Sequence, residues 1–148
     1  MKTRMHAVAG AIALFTILSF WSATLIAELF LSPDAVTAVK RAIVYGLLIL
    51  IPALAMAGAT GLSLAKSRSG TLITKKKKRM PVVALNGLLI MAPAAFFLQH
   101  KATAGEFDIL FYSVQVLELA IGLIQLSLLG LNFRDGLRIA GRLRPSCS

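Results

Sequence analysis

Residues 109–131 read ILFYSVQVLELAIGLIQLSLLGL, and this stretch decides the fold. It holds a single charged residue, Glu118, and it exceeds the roughly 20 residues that an α-helix needs to cross a hydrocarbon core. The stretch therefore predicts a membrane-spanning helix that carries an ionisable side chain inside the bilayer.

Three further apolar blocks of similar length lie at residues 7–30, 42–65 and 81–99. Over all 148 residues the chain is 57% hydrophobic, with a mean hydropathy of +0.80, whereas a soluble domain does not collect its apolar residues in blocks. Backbone groups in lipid must be satisfied internally, and four such segments cannot form a closed barrel. Short connections favour antiparallel neighbours. We predict an all-α, polytopic membrane protein: one membrane domain over residues 1–148, an up-down bundle of four transmembrane helices and a basic cytoplasmic tail at 132–148.

The first block also resembles a signal peptide, because Lys2 and Arg4 precede it. Its apolar run is much longer than the roughly 7–15 residues of a signal core, and no small-x-small cleavage site follows it. We expect it to remain as the first membrane helix.

Lysine and arginine are divided unevenly between the two sides of the predicted membrane. Two precede the first span, seven lie between the second and third, and four follow the fourth, against Lys40, Arg41 and Lys101 on the other side. Cytoplasmic segments carry such an excess of positive charge. The division of 13 to three predicts that both termini lie in the cytoplasm.

The fourth span carries a polar seam along one face. Its members follow a spacing of three and four residues, which is one side of a helix. They are Gln115, Glu118, Gly122, Gln125, Leu129 and Asn132. Asn86 of the third span is expected to join Gln125 in a deeper tier. The seam predicts either hydrogen bonds that hold the helices together or a functional site, because a buried acid is costly.

Counting residues from the outer ends of the spans predicts which other groups share the level of Glu118. They are Ser19, Ser22, and the carbonyls of Leu48 and Leu89, which Pro52 and Pro93 leave without a helical donor. The two prolines also predict kinks. With 42–65 as the second span, no Lys or Arg lies within a span, so we expect Glu118 to be protonated and to donate a hydrogen bond.

No cofactor, metal site or catalytic set is predicted. The single cysteine, Cys147, excludes an intramolecular disulfide. His6 and His100 lie on opposite sides of a core about 30 Å thick, so one haem cannot use both.

The cytoplasmic face is strongly basic, and we expect it to contact anionic lipid headgroups. The run KKKKR directly precedes the third span, and three arginines follow the fourth at intervals of four residues, where they indicate a short amphipathic helix on the inner leaflet. The residues are Lys75, Lys76, Lys77, Lys78, Arg79, Arg134, Arg138 and Arg142. The simpler interpretation of KKKKR is a topology anchor. Nucleic-acid binding is not expected, since no aromatic residues are interleaved.

Four stretches together resemble a group of small bacterial inner-membrane proteins with four spans. They are HAVAG followed by FWSATLIAELF, RMPVVALNGLLIMAPAAFF, AGEFDILFYSVQVLELAIG and LGLNFRDGLRIAGRLR. The resemblance covers nearly all of the chain, and it implies this architecture without implying an activity.

The small size and the polar helix face lead us to expect a non-enzymatic protein that assembles or modulates a membrane complex, as a homo-oligomer or within a larger assembly. The alternative is a small transporter or channel component, in which Glu118, Gln115 and Gln125 line a path for protons or small solutes. A third alternative is a redox subunit that binds haem or quinone.

Overall fold

The computed structural model describes residues 2–66 and 71–139, and its regular structure there is helical throughout. The elements are α1 (Lys2–Phe30), α2 (Pro33–Lys66), α3 (Thr71–Asn86), a π-helical turn (Gly87–Met91), α4 (Ala92–Thr103) and α5 (Ile109–Ile139). Four stretches are long and apolar enough to cross a membrane: Thr3–Phe30, Pro33–Gly61, Lys78–Thr103 and Ile109–Arg138. The predicted all-α class with four candidate spans is therefore confirmed.

The second helix begins well before residue 42, where its span was predicted to start. Ser32 precedes Pro33, and its Oγ accepts a hydrogen bond from the Ala35 N–H at 3.4 Å. Proline at the first helical position and Asp34 in the first turn complete a favourable helix start. Ser-Pro-Asp is thus a helix cap, and Lys40 and Arg41 belong to α2 rather than to a loop.

The connection between α4 and α5 forms a tight turn. Gly105 has a φ of 72°, and its N–H donates to the Ala102 carbonyl while the Glu106 N–H donates to the Lys101 carbonyl. This pair of bonds is a Schellman motif, which favours glycine at that position. Asp108 then caps α5, since its Oδ1 accepts from the Phe111 N–H at 2.9 Å.

The third span is interrupted in the middle. The π-helical turn Gly87–Met91 joins α3 to α4, and the Ala92 N–H donates to the Gly87 carbonyl, five residues earlier. Pro93 follows directly and cannot donate a backbone hydrogen bond. A π-helical turn holds one residue more than an α-helical turn, and this extra residue changes which side chains of the third span face inward. Val83 is buried before the turn, and Ala92, Ala95 and Leu98 are buried after it.

Contacts between helices define two ends of the molecule. At one end, which we call the loop end, Ala27, Val36, Ala102 and Phe111 share one apolar cluster, so the α1–α2 and α4–α5 connections lie together. At the other, the tail end, His6 Nδ1 lies 2.9 Å from the Ala57 carbonyl oxygen of α2. Between them α1 packs against α2 and α5, while α2 packs against α4.

Helix α5 continues to Ile139, past the predicted end of the span at residue 131. Asn132, Arg134 and Arg138 therefore lie on the same helix as Glu118, where a separate tail was expected to begin. Residues 140–148, with Arg142, lie outside the described residues.

Candidate functional site

A buried ion pair joins α2 to α5 near the loop end. Lys40 Nζ lies 2.9 Å from Glu118 Oε2, and the two side chains are only 1% and 9% exposed. Gln115, one turn before Glu118, is buried and donates from Nε2 to the same oxygen at 3.2 Å. We call Lys40, Gln115 and Glu118 the ion-pair site.

This geometry overturns two predictions. The expectation that no cation lies within a span is wrong, because Lys40 lies inside the candidate span Pro33–Gly61. The expectation that Glu118 donates a hydrogen bond is also wrong, because both of its described polar neighbours donate to it. A lysine ammonium has donors and no acceptor, so Glu118 can only accept from it.

The sequence contains a signal that would have found Lys40. Val36, Lys40, Ile43, Leu47 and Leu50 are all buried and follow a spacing of four and three residues. Lys40 therefore occupies a core position on the α2 face, seven residues or about 10 Å from the helix start. Glu118 is nine residues, about 14 Å, from the start of α5 at the same end, which a long lysine side chain can bridge.

Glu28 of α1 lies close to this pair. Its carboxylate interacts electrostatically with both Lys40 and Glu118. Its Oε1 is buried, with no hydrogen-bond partner among the described residues, and the same holds for Gln115 Oε1. The structure therefore adds Glu28 to the surroundings of the ion-pair site.

Trp21 fixes α1 against α5 next to the ion-pair site. Its indole Nε1–H donates to the Leu119 carbonyl at 3.0 Å. The ring fits because Gly122 has no side chain: a Cβ there would lie 3.0 Å from Trp21 Cδ1. Gly122 of the seam thus allows the ring of Trp21 to approach α5 closely. The sequence alone gives no signal that these two residues meet.

Gln125 and Asn86 form the deeper tier of the seam together, as expected. Its Nε2 donates to the Val83 carbonyl at 2.9 Å, and its Oε1 accepts from Asn86 Nδ2 at 2.7 Å. Gln125 is only 1% exposed. It therefore ties α5 to the end of α3 directly before the π-helical turn.

At the tail end a second ion pair joins α3 to α5. Arg79 Nη1 lies 2.9 Å from Asp135 Oδ2, with side-chain exposures of 25% and 4%. Asp135 continues the spacing of the seam by three residues beyond Asn132, which is itself buried. Arg79 therefore pairs with a protein carboxylate, and its contact with anionic lipid stays a prediction.

Among the other residues predicted to contact lipid, the structure describes the side chains of three. Lys78 and Arg134 are exposed and Arg138 is half-buried. The side chains of Lys75, Lys76 and Lys77 lie outside the described part of the structure, as does Arg142.

The prolines and Ser19 lie away from the buried seam. Pro52 and Pro93 are exposed, and so are the side chains of Leu48 and Leu89. Because residues four apart share a helix face, the carbonyl freed by Pro52 lies on the exposed side of α2. Ser19 is exposed and donates to the Phe15 carbonyl of its own helix at 2.9 Å. The predicted polar layer thus loses these members and gains Lys40 and Glu28.

The two histidines lie at opposite ends of the molecule: His6 contacts α2 at the tail end, and His100 is exposed near the end of α4. Within residues 2–66 and 71–139, no group of three His, Cys, Asp or Glu side chains could hold a metal ion.

A cavity of about 490 Å³ lies between the helices and borders the ion-pair site. Its wall is almost entirely apolar, and the polar exceptions include Glu118, Gln125 and Thr24. Ile51 and Leu88, which also line it, are 43% and 57% exposed. The cavity therefore opens sideways between α2 and the third span, and both residues at this opening belong to candidate membrane spans.

Comparison of the chain with protein-family models, with curated proteins and with solved structures gave no match.

Proposed function

We propose that the chain is a bacterial inner-membrane protein with four up-down spans and both termini in the cytoplasm. The distribution of Lys and Arg supports this orientation, and the burial of Lys40 strengthens it. Lys40 is paired inside the molecule, which leaves only Arg41 and Lys101 as basic residues at the loop end, against 13 elsewhere.

We further propose that the protein is a small transporter component, which takes a lipid-soluble molecule from the bilayer into its cavity. The observation that carries this proposal is the buried Lys40–Glu118 pair, whose acid, Glu118, lines the cavity. Ionisable groups inside a membrane are expensive to keep and usually mark a functional path. A largely apolar cavity with a few polar groups is the usual form of a small-molecule site.

Uptake can be followed with the single tryptophan of the chain, Trp21, because its side chain lines the cavity. Bromine quenches indole fluorescence on contact, so 1-bromooctane reports occupancy in purified protein in detergent. We expect saturable quenching of Trp21.

A matched pair of glycine variants provides the control. A Cβ at Gly58 or at Gly10 would meet no atom within 4 Å, yet only Gly58 is among the residues that line the cavity. Gly58→Phe should abolish saturable quenching, and Gly10→Phe should retain it. Equal, non-saturating quenching in all three proteins would refute uptake into the cavity.

The first expectation from the sequence, a role in assembling a membrane complex, stays a prediction. The polar residues of the seam that have described partners bond within the chain, so they identify no surface for a second protein. Affinity purification in mild detergent tests it: a stoichiometric partner would support assembly, and a bare monomer would count against it.

A further inference from the structure

The charges around the ion-pair site do not balance. Lys40 contacts the carboxylate of Glu118 at 2.9 Å, and both residues interact electrostatically with a second carboxylate, that of Glu28 on α1. With all three ionised, the cluster carries one excess negative charge. We call Glu28, Lys40 and Glu118 the charge cluster.

The other charged residues near the loop end do not supply the missing cation. Lys101 already binds Glu106 and Asp108, at 2.9 and 2.6 Å. Arg41 and Asp34 are exposed on α2, and His100 is exposed on α4. The charged residues that act electrostatically on Glu28 include Lys40 and Glu118.

Two buried oxygen atoms in or beside the charge cluster also have no described hydrogen-bond donor. Gln115 is 3% exposed and donates to Glu118, yet its buried Oε1 has no described partner, and neither has Glu28 Oε1. An unbalanced negative charge and unused acceptors in a low-dielectric setting both favour a bound cation or proton.

The cavity defines what kind of cation fits. Glu118 lines it together with Phe20 and Trp21, and the rest of the wall is mostly aliphatic. Aromatic faces attract cations, most strongly where water is excluded. A strongly hydrated metal ion would have to give up bound water to enter such a cavity. A monovalent cation with apolar substituents is weakly hydrated, so it would enter at a lower cost.

We propose that the cavity binds a lipophilic monovalent cation, such as a quaternary ammonium or phosphonium ion, in exchange for one proton. Without ligand, one carboxyl of the charge cluster carries a proton and the cluster is neutral. When the cation binds, the O–H bond of that carboxylic acid breaks, its electron pair stays on the carboxylate and the proton leaves to water. Lys40 keeps its charge throughout, so the occupied cluster is again neutral. This inference rests on the proposed uptake function and specifies its substrate class.

The test is calorimetric titration of the purified full-length protein with tetraphenylphosphonium, in buffers of different ionisation enthalpy. We expect one ion bound and one proton released per chain. At pH values where the carboxyl is protonated in the free protein, the affinity for tetraphenylphosphonium should fall about tenfold for each unit by which the pH is lowered. Binding without proton release, or with no dependence on pH, would overturn the exchange.

Variants separate the groups involved. Glu28→Gln balances the cluster without removing Lys40 or Glu118, so it should weaken binding at least tenfold and abolish proton release. Glu118→Gln should do the same, with its fold checked by circular dichroism. Asp135→Asn, a buried acid at the tail end, is the matched control and should bind as the wild type does. Wild-type binding by Glu28→Gln would refute the role of the charge cluster.

A neutral ligand distinguishes failure of this inference from failure of the uptake function. Triphenylphosphine oxide has a similar apolar body and no net charge, and we expect it to bind at least tenfold more weakly. If it binds as tightly as tetraphenylphosphonium, the cation preference is wrong while uptake stands. If both fail to bind and 1-bromooctane does not quench Trp21, uptake itself is refuted.

Discussion

Within the part of the chain that the structure describes, two ion pairs connect α5 to other helices, and they differ in their access to water. Lys40 and Glu118 near the loop end are 1% and 9% exposed, whereas Arg79 and Asp135 at the tail end are 25% and 4% exposed. The N···O distance is 2.9 Å in both pairs. Because burial differs while the N···O distance does not, we expect the loss of the two pairs to cost different amounts of stability. A guanidinium near the membrane surface can turn toward water or headgroups when its partner is lost, and Lys40 cannot.

Breaking the buried pair should have the largest effect on stability. Lys40→Met leaves Glu118 in a low-dielectric interior without its cation, and we expect a loss of about 3–5 kcal/mol in the free energy of unfolding. Titration with sodium dodecyl sulfate in mixed micelles, followed by circular dichroism, measures it. In the same variant, the infrared carbonyl absorption of protonated carboxylic acids should increase relative to the wild type, because both carboxyls of the charge cluster then carry a proton.

The double variant Lys40→Met/Glu118→Met is the control for this effect. It removes both charges and keeps similar volumes, so we expect stability close to that of the wild type. A double variant as unstable as Lys40→Met would show that the loss came from packing around Lys40 and not from an unpaired charge.

Breaking the tail-end pair should cost less. Asp135→Asn removes the negative charge but leaves Arg79 able to contact solvent, so we expect a loss of about 1 kcal/mol or less by the same titration. The counterpart is Glu118→Gln, the equivalent exchange near the loop end, which should cost several times more. Equal losses in the two variants would mean that burial does not distinguish the pairs.

The exposed charges of the loop end should give the smallest effect, and one that depends on pH. The hydrogen bond from Lys101, followed by that from the Phe111 N–H, holds the pKa of Asp108 below its ordinary value of 3.8. A lowered pKa in the folded state means that Asp108 stabilises the fold above that value and loses this contribution as the pH falls through its folded pKa.

Asp108→Asn keeps a capping side chain on α5 and removes the charge. We expect a small decrease in melting temperature at neutral pH that disappears in acid below the ordinary aspartate range. The measurement is a pair of melting curves for wild type and variant at several pH values. A difference that persists unchanged in strong acid would contradict an electrostatic origin.

Much of this architecture is predictable from the sequence because the bilayer restricts what a long apolar segment can do. Residues 109–131 predict a spanning helix, and the spacing of Gln115, Glu118, Gln125 and Asn132 places them on one face. The structure buries all four on α5. The error at α2 came from treating Lys40 and Arg41 alike as loop residues. Adjacent residues on a helix differ by about 100°, so one of the two is buried while the other is exposed.

The sequence by itself determined the number and approximate positions of the helices and the inward face of α5, because length, hydropathy and periodicity are properties of single segments. Only the tertiary structure decided that Lys40 pairs with Glu118, that Glu28 adds a second acid and that Glu118 lines an apolar cavity. Those facts depend on which faces of different helices meet. On the third span, the π-helical turn before Pro93 changes which face meets the neighbouring helices. The partner of a charge inside a membrane is set by packing between helices, which no single segment encodes.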